Sequence, residues 1–441
     1  MRRFAIILFF LIAAIPFLLM PGRHGAQLPK GNANESLTII SPHRREVRLE
    51  YSRGFAEWMN TRYHRNVAIQ WLDVGGASKV MKELESRYAS SPGNPGVDLM
   101  FGGGIAPFLT AIQKNWLNQT ELPAKLLSDI PATCAGSPVL DPGQRWFGVT
   151  LSAFGILYNR PLVQRLGLPV PVSWHDLARP EYYSWVGSGD PRSSGSVHMC
   201  YEIILQSYGF EKGWPIITRI CANVRGFGEA GGTVPREVAA GDIAAGMVID
   251  QYAQTVIKSV GNDALALVLP EKETIIGPDP IAMLRGAKQP ELAKLFIEFT
   301  LSEEGQRLLY QSAGTNGQKH NLYRMPVLKA LYAEAAAPKP NPYDFPSGLA
   351  YDNELATRRW NILNDLMGVW LIDAHADLKI AWKDCMNRDP GLAEELCRPP
   401  LTEKSLEALI PIWKDSRRKQ EVMQQWSKEA QLRYLKRSIS R

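Results

Sequence analysis

Apolar positions near the start of the chain follow two alternating spacings. Leu37-Thr38-Ile39-Ile40 is a strand-like run ending in Ser41-Pro42-His43, after which Val47, Tyr51, Phe55 and Trp58 or Met59 recur as one helix face. Asn66 to Leu72 predicts a second strand, ending in Asp73-Val74-Gly75-Gly76, and Ala77, Val80, Met81, Leu84 and Tyr88 mark a second amphipathic helix. Val97-Asp98-Leu99-Met100 predicts a third strand, followed by Phe101-Gly102-Gly103-Gly104. Strand, small-residue turn, helix, repeated, is the grammar of a parallel α/β sheet. Ligand loops gather at the C-terminal strand ends of such sheets, because helix N-terminal amides converge there. The tips Ser41–His43, Gly75–Ala77 and Gly102–Gly104 are therefore candidate ligand contacts, with plain tight-turn glycine as the alternative.

Further along, Phe147 to Tyr158 is apolar and strand-like, and Trp185-Val186-Gly187 predicts another strand. The polar loop Ser188–Ser196 leads from it into a helix marked by Val197, Tyr201, Ile204, Leu205 and Tyr208. Serine hydroxyls and amides at the positive end of a helix suit an anion, whereas ordinary N-capping is the competing role for the same serines. Gly226-Phe227-Gly228-Glu229-Ala230-Gly231 matches a dinucleotide fingerprint, but the helix after it has room only from Thr233 to Ala240. Two turns are too short for a standard crossover, so the segment is read as a glycine loop at a second ligand-facing edge.

Composition narrows the classes. Of 441 residues, 45% are hydrophobic and 21% charged, a globular balance. Net charge is +6, and residues 401–441 hold ten Lys/Arg against five Asp/Glu, so the other 400 residues are nearly neutral and a nucleic-acid-binding core is disfavoured. Met1-Arg2-Arg3 followed by the apolar run Phe4–Met20 has the order of a secretory signal, cleaved or retained as a membrane anchor, which places the body outside the cytoplasm. Paired cysteines are permitted there; Cys385 and Cys397 are the first candidates, and five buried thiols are the equal alternative. The chain has no G-x-S-x-G, no H-E-x-x-H and no Gly-Lys dipeptide for a phosphate loop, which argues against an enzyme. Asp373, His375 and Asp377 look like a metal trio, but on a helix they do not share one face.

A series of local matches in one order carries a resemblance. Gly155-Ile156-Leu157-Tyr158-Asn159, Leu166-Gly167-Leu168-Pro169 with Ser173-Trp174, Pro180-Glu181-Tyr182, Asp190-Pro191 with Ser193-Ser194-Gly195, and Val238-Ala239-Ala240-Gly241-Asp242 before Gly246–Asp250 are the main ones, ending at Ala293–Leu309. Over about Leu37 to Tyr323 the chain resembles the extracytoplasmic solute-binding proteins of ABC importers, in particular their ferric-iron-binding branch. The resemblance implies an α/β, two-lobed, periplasmic-binding-protein fold of type II (Venus-flytrap), here with an additional C-terminal helical region. Residues 1–26 would be the signal or anchor, 37–146 with 267–330 lobe one, 147–266 lobe two, and 345–441 a helical extension. Trp146–Leu151 and Ala266–Pro270 would cross between the lobes.

Carried onto matching positions, the ligand contacts would be Ser41, Gly76, Gly103, Ser152, Ser194, Gly195, Ser196, Thr233, Asp250 and Tyr252. Ferric binders carry two adjacent tyrosines where this chain has Asp250-Gln251-Tyr252-Ala253. The pair Tyr182-Tyr183 lies elsewhere and reads as core or surface aromatics. A serine- and amide-rich cleft suits an oxyanion, whether a carboxylate, a phosphorylated molecule or a chelated metal complex. The implied partners are the solute and ABC permease subunits, with membrane association through the N-terminal segment and no cofactor. The alternative is a membrane-anchored sensor signalling to a partner, and an enzyme on the same scaffold is less favoured. Beyond the proline-rich connector after Pro338, three apolar stripes predict helices that pack on the lobes or each other: Trp360–Trp370, Leu406–Trp413 and Met423–Tyr434. The alternatives are partner docking for these helices and anionic-lipid binding for the basic end.

Overall fold

A computed structural model describes residues 35–228, 231–346, 349–388 and 390–438. The N-terminal signal or anchor expected at residues 1–26 lies outside them. Among the described residues no helix is long and apolar enough to cross a membrane.

The chain opens with strand β1 (Glu35–Ile40), helix α1 (Arg45–Tyr63), β2 (Val67–Leu72), α2 (Ala77–Ser90), β3 (Leu99–Phe101) and α3 (Ile105–Gln113). β1 is parallel to both β2 and β3, as the repeated strand–turn–helix grammar predicts. Alternation along β1 sends Leu37 and Ile39 to one face of the sheet and Ile40 to the other. The first face is covered by α1 and by α8 (Pro290–Leu301), whose aromatic rings pack edge to face; Phe55 and Phe296 have centroids 5.0 Å apart. The second face is covered by α2 and α3 through Val80, Leu84 and Phe108.

The second half is built on β4 (Phe147–Asn159), β5 (Val186–Gly189), α4 (Gly195–Tyr208), α5 (Phe210–Asn223), β6 (Val224–Gly228), α6 (Thr233–Ala240), β7 (Ala245–Ile249), α7 (Asp250–Val260) and β8 (Leu265–Val268). The chain then returns through β9 (Ile276–Met283), α8 and β10 (Met325–Pro326). Sheet order is β2-β1-β3-β9-β4-β7-β5-β6, with β8 and β10 also paired to β4. β4 therefore belongs to both lobes. Its residues 147–153 pair with β9 and its residues 154–158 with β7. The exchange of partners falls between Ala153 and Phe154, just beyond the Trp146–Leu151 stretch, and the return runs through residues 269–275. Thr274 Oγ1 donates to the Phe154 carbonyl at 2.6 Å, tying the two crossings together.

The C-terminal extension is part of the lobe-two core. In α9 (Asn353–Met367) and the π-helical turn Gly368–Ile372, Leu363, Leu366, Met367 and Trp370 are buried against α4 and α5. α10 (His375–Arg388) and the helices Glu403–Leu409 and Ser416–Ser438 add Trp382, Leu406, Trp426, Ala430 and Tyr434 to the same cluster. All three apolar stripes thus find a surface within the chain. Their anchor is an ion pair buried on both sides, Arg359 to Glu202 of α4, at 2.7 and 3.0 Å.

Other motifs take structural roles. Tyr182 is buried with its hydroxyl donating to the Pro169 carbonyl at 2.7 Å, and Tyr183 lies under Lys379. Asp373 pairs with Arg192, while His375 meets the Cys221 carbonyl at 3.1 Å, so they serve two different contacts. The pairing of Cys385 with Cys397 is not formed; all five cysteines are buried thiols.

Candidate ligand-binding cleft

A cavity of about 360 Å³ lies between the lobes, at the strand ends expected to carry ligand loops. Its lobe-one wall is made by His43 and Arg44 after β1, by Gly75–Ala77 at the start of α2, and by Gly103–Ala106 at the start of α3. The glycine tip after β3 has a steric cause. Gly102, Gly103 and Gly104 have φ of +92°, +109° and +76°, and a Cβ on Gly102 would lie 2.6 Å from the His43 ring.

That helix start already holds an anion of its own. Asp279 of β9 accepts from the Gly103 amide at 2.5 Å and the Gly104 amide at 3.0 Å, and meets His43 Nε2 at 2.8 Å and Arg324 Nη1 at 3.2 Å. Burial opposes its charge, yet His43, Arg324 and the Gly104 amide prevail and hold its carboxyl well below the usual range. Burial in turn keeps the His43 imidazole below its usual range despite the pull of Asp279. Gly103 therefore lines the cleft, but its amide is engaged.

The lobe-two wall is different. Ser152 and Phe154 of β4 form its floor, and the loop Ser193–Ser196 with the first turn of α4 forms its side. Ser194 occupies the N-cap position, but its side chain makes no capping bond; its Oγ lies 3.2 Å from Ser196 Oγ. The capping role expected of this serine is thus not taken up, and both hydroxyls line the cavity beside a helix N-terminus. Gly231 closes over them, since a Cβ there would lie 2.6 Å from Ser196 Oγ. Across the gap, a Cβ on Gly76 would come 3.1 Å from the Ser193 carbonyl, so the N-terminal ends of α2 and α4 converge. The first turn of each helix has amides without intrahelical partners, and both dipoles favour negative charge there. Arg44 adds a full positive charge: its guanidinium sits 4.8 Å from the Tyr252 ring centroid and its Nη2 reaches Thr255 Oγ1 at 3.4 Å, both on α7 in the opposite lobe.

Of the ten expected contacts, Gly76, Gly103, Ser152, Ser194, Gly195, Ser196 and Tyr252 line this cavity. Ser41, Thr233 and Asp250 do not. Ser41 is fully buried and its Oγ accepts from the His43 amide at 3.1 Å, shaping the turn instead. The Thr233 side chain packs over Gly228. Asp250 begins α7 and faces a second cavity, of about 660 Å³, on the opposite face of the crossing strands. Strand alternation explains this: Ser152, Phe154 and Gly277 face the first cavity, whereas Ala153 and Ile276 face the second. Burial pushes the Asp250 carboxyl up to about 7, and its Oδ1 has no side-chain or backbone partner. Arg44, Asp279, Arg324, Tyr351, Asn353 and Ala356 belong to the cavity without having been expected. Only Arg44, beside the Ser41–His43 tip, carried a local signal.

Tyr252 stands under Arg44, His43 is held by Asp279, and among the described residues no three His, Cys, Asp or Glu converge on one point.

Comparison with known proteins agrees with this architecture. Residues 95–330 match the family model described as bacterial extracellular solute-binding protein. The chain is 30% identical over 161 residues to the phosphoglycerate transport regulatory protein PgtC of Salmonella typhimurium, spanning 36% of this chain and 40% of that protein. It is 26% identical over 220 residues to an uncharacterized Haemophilus influenzae protein, of which it spans 62%. Among solved structures, the periplasmic binding protein AfuA of Actinobacillus pleuropneumoniae, with exogenous fructose-6-phosphate bound, superposes with a TM-score of 0.58 at 20% identity, over 81% of this chain and 100% of that one. Iron-bound HitA of Pseudomonas aeruginosa gives 0.52 at 20%, over 74% and 99%. These structural likenesses concern the fold, two lobes around a cleft.

Proposed function

Because the chain belongs to the family of bacterial extracellular solute-binding proteins, we propose that it captures a small phosphorylated or carboxylated solute outside the cytoplasm by cleft closure and delivers it to an ABC permease. The two lobes of this mechanism are residues 37–146 with 267–330, and 147–266. They close about β4 and the return through 269–275, and solute bridges both walls only in the closed form. The solute leaves chemically unchanged. One observation carries the anion preference: two helix N-termini face each other across the gap, flanked by Ser194 and Ser196 hydroxyls that cap nothing and by Arg44. A relative named for phosphoglycerate transport and a fold neighbour holding a sugar phosphate support the phosphorylated class. The missing tyrosine pair argues against direct capture of ferric iron.

Replacing Ser194 and Ser196 together by alanine removes two hydrogen bonds to a charged group, each worth about 1.5–3 kcal/mol. Affinity for fructose 6-phosphate or 3-phosphoglycerate then falls by roughly 100-fold or more in calorimetry, with the thermal midpoint unchanged. Unaltered affinity would reject the serine-loop assignment. A second reading, a sensor that signals occupancy to a membrane partner, is favoured by the word regulatory in the Salmonella relative's name. Co-purification with permease subunits supports transport, and with a signalling partner supports the sensor.

A further inference from the structure

The C-terminal extension begins after the matched family segment ends, yet it reaches the cleft. Tyr351, Asn353 and Ala356 line the same cavity as the serine loop and the start of α3. The Tyr351 hydroxyl approaches Met199 Sδ of α4 at 3.5 Å, and α9 also packs against α3 of lobe one. We infer that this segment is a third wall of the cleft and sets which solutes fit, with Tyr351, Asn353 and Ala356 as specificity-determining residues. The inference rests on the anion-binding reading, which it deepens from a charge preference to a preference for size.

Four contacts make the wall a fixed part of lobe two. Arg359 is bound to buried Glu202, and His198 Nδ1 lies 2.6 Å from Asn364 Oδ1. The Trp360 ring packs against His198 at a 33° tilt, with ring centroids 3.6 Å apart, and lies 3.7 Å from the position of a Cβ on Gly195, at the first turn of α4. Finally, Arg192 of the serine loop donates to Asp373 at 2.8 and 2.9 Å, passing over Gly368, where a Cβ would lie 2.7 Å from its side chain. The extension thus holds the serine loop from behind while its first turn borders the space beyond it. A two-lobed cleft without such a wall stays open on that side, so solute length is not limited there. Here the anion is seated by the serines, and the remainder of the solute runs toward Ala356 and Tyr351.

The test uses the full chain with inorganic phosphate, 3-phosphoglycerate and fructose 6-phosphate in calorimetry. Ala356→Trp should weaken fructose 6-phosphate binding by at least 10-fold while phosphate binding changes less than 3-fold, and Tyr351→Ala should change the ratio between the two organic phosphates. Equal effects on all three, or none, overturn the wall. The Ser194/Ser196 double alanine variant reports separately: it should lose all three probes, and if it retains them the anion reading fails on its own. A probe-independent measurement completes the set. Asn353→Cys, in a chain whose native cysteines are all buried, should react at least 10-fold more slowly with a bulky maleimide than with a small methanethiosulfonate, relative to a free-thiol peptide. Equal relative rates would place the residue outside a confined cleft and refute the inference, even where no probe binds.

Discussion

Replacing Arg359 by methionine isolates the ion pair that fastens α9 to α4. Both partners are shielded from water, with side-chain exposures of 1% and 0%, and the guanidinium bonds both oxygens of Glu202 at 2.7 and 3.0 Å. It also bonds Glu403 at the start of the helix Glu403–Leu409. Without Arg359 the Glu202 carboxylate is left with the Gln206 amide, which donates to it at 2.6 Å. Stranding one member of a buried pair costs about 3–5 kcal/mol, while replacing both by apolar groups of similar volume is often near neutral. Arg359→Met should therefore destabilise by about 3–5 kcal/mol, and Arg359→Met with Glu202→Leu by clearly less. Urea unfolding followed by tryptophan fluorescence reads this, because Trp360, Trp370 and Trp382 all sit in the extension. If the extension detaches before the lobes, two transitions appear and the first carries the shift. A double variant as unstable as the single one, or a single variant within about 1 kcal/mol of the parent, would refute the account of a stranded charge.

Asp250 offers a pH signature. The folded chain holds its proton up to about pH 7, against an ordinary carboxyl value of 3.8. The group's stabilising contribution is therefore complete below pH 3.8 and is lost as pH rises to about 7, on the order of 4 kcal/mol in all. Asp250→Asn removes that slope, so its stability relative to the parent should climb between pH 4 and 7; His43 and His198 are common to both proteins and cancel. A flat difference curve contradicts the assignment. Arg44→Ala removes an exposed cation–π contact and a hydrogen bond between the lobes, about 0.5–1 kcal/mol for the former. Phosphate affinity should fall several-fold and lose part of its salt dependence, whereas a variant with the parent's affinity and the parent's salt dependence would sink the role given to this charge.

Local features of the sequence were readable because their causes are local. Val47, Tyr51, Phe55, Trp58 and Met59 all face the core, and the helix after the glycine loop does run from Thr233 to Ala240. The serine loop lies beside the cleft, and the hydroxyls there do not cap the helix. What escaped was anything joining distant segments. Asp279 and His43 are 236 residues apart, and Arg359 and Glu202 are 157 apart, with no periodicity to announce either pair. Asp250 sits apart for a subtler reason: Gln251 and Tyr252 reach the first cavity while their neighbour turns to the second, and which way a helix's first residue points depends on how the preceding strand enters it. The tryptophan stripe of α9 foretold a buried face but not that the helix's opposite end would border the cleft.

The long shared strand imposes one further consequence. Its consecutive residues look into two separate hollows, so its length is under a parity constraint that loops escape. Removing a single residue between Ser152 and Phe154 would rotate the whole downstream half by one pleat, bringing Ile156 and Leu157 to each other's sides and into each other's apolar clusters. Diversification of this scaffold is thus steered toward its rims and its tail, where insertions leave the phase of that strand intact.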